Sequence, residues 1–212
     1  MSPEMESIRQ MLEKEIESFH YVRAQEIPAI DLYMDQVTTF MEDRLRQTAR
    51  HPETDKILTK TMINNYAKSD LLIPPVKKKY NMDHMLLLLF IYYFKSFLSI
   101  GDIQQILRPI REKYAEDPRK NTRVPQRERE DGESLETIYN AVLEQIEGQM
   151  ERIAQETERQ IQEADASFAD APEQDRAMLQ RFDLICQMSA EVFVKKMLIE
   201  RMIDQFDQTE PK

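Results

Sequence analysis

Residues 59–107 read TKTMINNYAKSDLLIPPVKKKYNMDHMLLLLFIYYFKSFLSIGDIQQIL, and the fold turns on this stretch. Met62, Ile63, Tyr66 and Leu71 offer one apolar stripe, which predicts a helix over Thr59 to Leu72 capped by Thr59 or Thr61. Pro74-Pro75 is expected to end it, because proline has no N–H and pushes the preceding residue out of helical geometry. Val76-Lys77-Lys78-Lys79-Tyr80 then reads as a short extended or looped basic stretch. Asn81 or Asp83 caps the next helix, which runs through Leu86, Leu89, Phe90, Tyr93, Phe94 and Phe97. That helix is apolar nearly all round and is predicted to be the central core element. Ser99-Ile100-Gly101-Asp102 reads as a break and a new cap, followed by a helix from Asp102 to about Tyr114 that Pro109 should kink or end.

Working outward, Ile8, Met11, Leu12, Ile16 and Phe19 predict an amphipathic helix from Pro3 to Tyr21. Leu32, Val37, Phe40, Met41 and Leu45 predict another from Asp31, its candidate cap, to Leu45. Downstream, residues 116–133 are charged, contain Pro118 and Pro125, and read as a linker. Beyond it come two helices of about 35 residues, Ser134 to Phe168 and Glu173 to Phe206, broken at Ala171-Pro172. Their stripes run through Ile138, Val142, Ile146 and Ile153, and through Phe182, Ile185, Val192, Ile199 and Phe206. A lone hairpin cannot bury both stripes, so it is expected to pack on the first helix or on a second chain.

Composition narrows the function. Three glycines in 212 residues argue against glycine-rich phosphate loops and nucleotide-binding α/β folds. One cysteine, Cys186, removes disulfide frameworks and thiolate zinc sites within one chain. His20, His51 and His84 form no ligand spacing, and no Ser/His/Asp, Cys/His or paired-carboxylate arrangement stands out, so no catalysis, metal or cofactor is expected. The run Met85–Phe94 is too short for a span of about 20 residues, and the polar N-terminus has no signal-peptide core. A soluble, cytoplasmic protein is expected.

The charge of -10 is unevenly spread. Residues 1–127 hold 20 Lys+Arg and 18 Asp+Glu, whereas residues 128–212 hold 9 and 21. Residues 56–80 hold six lysines against Asp70 alone. Screening acts over about 8–10 Å, so a local basic face on an acidic chain can still bind a polyanion.

The stretch from Met62-Ile63-Asn64-Asn65-Tyr66 through Asp70-Leu71-Leu72-Ile73-Pro74-Pro75, Lys79-Tyr80 and Asp83-His84-Met85-Leu86 to Leu98-Ser99-Ile100-Gly101-Asp102-Ile103-Gln104-Gln105-Ile106-Leu107 resembles the DNA-binding domain of MerR-type transcription regulators. The resemblance covers about 75 residues if Asp31–Leu45 is the first helix of the helix-turn-helix. The whole chain also looks like a small uncharacterised family of Gram-positive bacterial proteins with a MerR-like N-terminal half. The resemblance implies an all-α fold with a winged helix-turn-helix followed by a long helical hairpin. The implied division is an N-terminal helix (1–26), a MerR-like domain (27–115), a linker (116–133) and a dimerising hairpin (134–208). It implies a sequence-specific regulator that binds and distorts double-stranded DNA as a homodimer, through the C-terminal helices. Any small-molecule effector is left open.

This sequence departs from the family pattern at defined places. Asn64, Asn65 and Tyr66 stand where the recognition helix usually has Arg-Tyr-Tyr, and Asp70 replaces the glycine before Leu-Leu. The wing is shorter, and the connector from Arg46 to Leu58 is longer.

The candidate DNA contacts are Thr59, Lys60, Thr61, Asn64, Asn65 and Tyr66 in the recognition helix, and Lys77, Lys78 and Lys79 in the wing. Lysines can neutralise phosphates, and asparagine suits adenine. The bland reading is capping threonines, a solvated charge run and a core tyrosine. The aromatic cluster from Phe90 to Phe97, Met178, Met188, Met197 and Met202, and Cys186 are all expected in the core. The alternative function is a helical protein-interaction adaptor that has lost DNA binding.

Overall fold

The computed structural model describes residues 1–116 and 134–206. The expected linker therefore lies outside the described residues except for Glu116, as do residues 207 and 208 of the expected hairpin. Among the described residues there are seven α-helices and one two-stranded sheet. The chain divides into two compact units, residues 21–143 with 203–212, and residues 1–20 with 144–202.

The first unit is built on α2 (Met34–Leu45), α3 (Lys60–Lys68), α4 (Met82–Phe94) and α5 (Ile100–Tyr114). As expected for a sequence apolar all round, α4 is the core helix: Met85, the four leucines from Leu86 to Leu89, and Ile91 are fully buried. Each such side chain contributes about 1.5–3 kcal/mol of burial. Val37, Met41 and Leu45 of α2, Ile63 of α3, and Ile103 and Leu107 of α5 complete the core. Asn81 caps α4, its side chain accepting from the His84 N–H at 3.2 Å. The aromatic residues sit at its margin: Phe90, Tyr92, Tyr93 and Phe94 are half-buried and Phe97 is exposed. Tyr93 and Tyr139 grip the backbone of Val22, one accepting from its N–H at 3.0 Å and the other donating to its carbonyl at 2.5 Å.

Several local expectations are corrected. Asp31 does not cap α2, because Leu32–Tyr33 forms strand β1 and the helix starts at Met34. The Gln36 side chain instead accepts from the Tyr33 N–H at 2.9 Å. The α5 helix starts at Ile100 rather than Asp102: within the expected capping stretch Ser99 is the cap, and Asp102 accepts back from the Ser99 N–H at 3.1 Å, completing a reciprocal box. Pro109 neither ends α5 nor closes it early, and the helix continues to Tyr114. The long connector is braced against the core. Ile57 and Leu58 are buried, Arg46 donates to the Pro52 and Asp55 carbonyls, and Lys95 Nζ donates to the Ile57 carbonyl at 2.8 Å.

The second unit holds α1 (Pro3–Ser18), most of α6 (Leu135–Ala166) and most of α7 (Glu173–Phe206). Met5, Ile161, Ala164 and Leu184 form its core, with Ile8, Leu12 and Met188 packed against them. The first helix does pack on the hairpin, but through Ile161, Ala164, Leu184 and Met188 and not through the expected stripes, of which Val142, Ile153, Phe182, Ile185, Val192 and Phe206 are exposed. Gln180 closes the turn by donating to the carbonyls of Asp165 and Ser167. Two expectations fail here: Cys186 is exposed, and so are Met178 and Met202. All three lie on α7 away from the helices it packs against, a property that helical spacing alone does not assign.

Candidate nucleic-acid interface

Thr59 caps α3, its hydroxyl accepting from the Met62 N–H at 3.1 Å. The helix is short, and its end is not made by Pro74-Pro75. Ser69 is the C-cap, and Asp70 takes the left-handed conformation at φ 57°. The Leu71 N–H then donates to the Tyr66 carbonyl at 2.9 Å, closing a Schellman turn. Glycine is the usual residue at that position because it has no Cβ to clash. Here Arg111 of α5 holds the aspartate, donating to both its carbonyl and, at 2.9 Å, its carboxylate. The aspartate at this glycine-favoured position is thus held by a partner 41 residues further along the chain.

With Ile63 and Tyr66 turned inward, the opposite side of α3 is polar. Lys60, Thr61, Asn64, Asn65 and Lys68 are all exposed. The amides of Asn64 and Asn65 make no hydrogen bond to another described side chain. Lys60 pairs with Asp35 in the first turn of α2. Tyr66 is the exception among the expected contacts: its ring is buried, and burial raises its pKa.

The stretch expected to form the wing is a hairpin with a two-residue tip. The Lys79 N–H donates to the Val76 carbonyl at 3.0 Å, with Lys77 and Lys78 at φ 51° and 63°. Two successive positive φ values define a type I′ turn, which usually takes Asn-Gly. The returning strand β2 (Lys79–Tyr80) pairs antiparallel with β1, matching Tyr33 to Lys79 and Leu32 to Tyr80. Side chains alternate across a strand, so Leu32 and Tyr80 go inward while Tyr33 and Lys79 face out. The Lys79 ammonium lies 5.7 Å from the centre of the Tyr33 ring.

The segment 33–35 therefore joins both halves of the expected site: Tyr33 pairs with Lys79 of the hairpin, and Asp35 meets Lys60 at the start of α3. No carboxylate among the described residues pairs with Lys68, Lys77, Lys78 or Lys79. Sequence reading missed Lys68, although its spacing from Lys60 and Asn64 in steps of four places it on their face. It also missed Tyr33, for which no local signal exists. Among the described residues no group of three His, Cys, Asp or Glu is placed to hold a metal ion, and no helix is long and apolar enough to cross a membrane.

Searches among curated proteins and among solved structures return no match. Residues 22–142 match a family described as "Domain of unknown function (DUF1836)". The match ends within one residue, on either side, of the 21–143 body of the first unit. Because it spans more than half of the chain, the protein is a member of the DUF1836 family, and the candidate interface lies inside the family domain.

Proposed function

We propose that this protein is a sequence-specific regulator that binds double-stranded DNA as a dimer, without catalysis, through a MerR-like winged helix-turn-helix. The observation that carries the reading is the joint between α3 and the wing. One short segment, 33–35, holds a hairpin tipped by Lys77 and Lys78 beside a helix whose outward face is Lys60, Thr61, Asn64, Asn65 and Lys68. The order of elements supports it further: short strand, helix, helix, hairpin, helix, helix. In this reading α3 enters the major groove, Asn64 and Asn65 face base edges, and the wing lysines grip phosphates. Two copies would address half-sites about 34 Å apart.

The test is equilibrium binding of purified protein to random and selected duplexes at several salt concentrations. Specific binding that weakens linearly with log salt is expected. A protein that binds no duplex even at about 50 mM salt leaves the adaptor reading, which the exposed apolar residues of α7 favour.

A further inference from the structure

We infer that the groove between α6 and α7 is a binding site for a small hydroxy-carboxylate with an apolar middle. The inference stands apart from DNA binding and from the number of copies. Every wall of the groove lies within the second unit, and its volume of about 500 Å³ is in the range of small-molecule sites. On α6 the wall is a stripe through positions 149, 153, 156 and 160, and on α7 a stripe through 188, 192 and 195. Both advance by three and four, so each helix turns one side to the groove. The Gln160 amide donates to the Glu191 carboxylate and ties the two walls together.

Two polar side chains at the floor point to a ligand. Gln160 and Thr157 are only 5% and 7% exposed. The Gln160 amide spends its N–H groups on Glu156 and Glu191, and its carbonyl oxygen accepts nothing from the described residues. A threonine inside a helix often gives its hydroxyl to the carbonyl four residues back. The Thr157 hydroxyl makes no hydrogen bond among the described residues. Neither oxygen is sealed among protein atoms, so both open on space. Gln160 lines this groove, and Thr157 lines it together with the narrower one beside α1. A ligand hydroxyl would serve both, donating to the Gln160 carbonyl and accepting from Thr157.

The rest of the groove selects the body and the charge of that ligand. Ile153, Met188 and Val192 give it apolar walls, and Ile153 and Val192 are 46% and 63% exposed. Apolar walls with a few convergent polar groups are the usual make-up of a small-molecule site. The carboxylates at the rim are already committed, Glu156 to Arg159 and Glu191 to Lys195 at 2.8 Å. Arg152 has no carboxylate partner among the described residues. The uncommitted rim charge is therefore positive, and a guanidinium binds a carboxylate through paired hydrogen bonds. Arg152 and Gln160 are two turns apart on α6, about 12 Å along its axis at about 1.5 Å per residue. An extended chain of about ten carbons has that reach.

Calorimetric titration of the full chain with ω-hydroxydecanoate tests this. Saturable binding of one molecule per chain with a Kd below about 1 mM is expected. Decanoate lacks the hydroxyl and α,ω-decanediol lacks the carboxylate, and each should bind about tenfold more weakly or worse. Arg152→Gln should lower the affinity for ω-hydroxydecanoate about tenfold and leave the diol unchanged. Thr157→Val keeps the branched shape and removes the hydroxyl, so it should weaken ω-hydroxydecanoate and leave decanoate unchanged. Thermal unfolding checks that both variants fold. Phe193→Asp, at an exposed residue of α7 outside the groove, should leave binding intact. No binding up to about 5 mM overturns the assignment. So does equal affinity for all three probes, which is adsorption to apolar surface, or binding lost in Phe193→Asp and kept in Arg152→Gln.

Discussion

Replacing Lys77-Lys78 by Asn-Gly should make the protein more stable and a poorer ligand for DNA. At φ 51° and 63° both lysines occupy the left-handed region, where a Cβ crowds the following carbonyl. The cost is about 1–2 kcal/mol per residue. Asparagine tolerates this region and glycine occupies it freely, but glycine also gains about 0.5–1 kcal/mol of freedom in the unfolded chain. The net gain should be about 1–2 kcal/mol, which for a chain of this size raises the melting temperature by about 3–6 °C. If each lysine meets one phosphate, the slope of log affinity against log salt should flatten by about 1.8. Lys77→Gln with Lys78→Gln is the matched control. It removes the charges and keeps the strained backbone, so the slope should flatten while the melting temperature stays put. Thermal unfolding and anisotropy titrations at several salt concentrations read both quantities. An Asn-Gly variant no more stable than wild type refutes the strain argument. A stabilised variant with an unchanged slope removes the tip from the binding surface.

Asn64→Ala or Asn65→Ala should cost about 1–3 kcal/mol at one base position with little change in salt slope; equal losses on specific and random duplexes would assign the residue to backbone contact instead. Asp70→Ala should lower stability by about 1–3 kcal/mol in urea, because alanine is strained at φ 57° and strips the carboxylate from the buried Arg111 guanidinium. Asp70→Gly should lose clearly less, since glycine accepts that φ and the carbonyl partner of Arg111 remains. Burial pushes the Tyr93 hydroxyl up to about 12 and raises Tyr139 as well. Folding then favours their protonated forms, so stability should be flat below about pH 10 and fall from there through about 12. Urea midpoints that do not decline in that window would contradict the buried tyrosine cluster.

Helix starts were readable in this sequence because caps are local. Thr59, Asn81 and the Ser99–Asp102 pair act within one turn of their own helices, and a run as apolar as Met85–Leu89 has nowhere to go but the core. The polar side of α3 was equally plain, since inward Ile63 and Tyr66 leave Thr61, Asn64 and Asn65 outside at helical spacing. What remained hidden depends on partners far along the chain. Nothing local in Leu32–Tyr33 announces a strand, because its hydrogen bonds come from Lys79–Tyr80 across more than forty residues. The left-handed aspartate at Asp70 is held by Arg111, a residue whose position beside it exists only after α5 has packed. Pro109 inside α5 shows the same override, tertiary packing carrying a helix through a residue that locally disfavours it. On α7 the apolar residues were visible, but periodicity marks a stripe without saying what covers it. Only the packed unit decided that Leu184 faces the core while Phe182, Ile185 and Cys186 face outward, because burial is a property of neighbours and not of spacing.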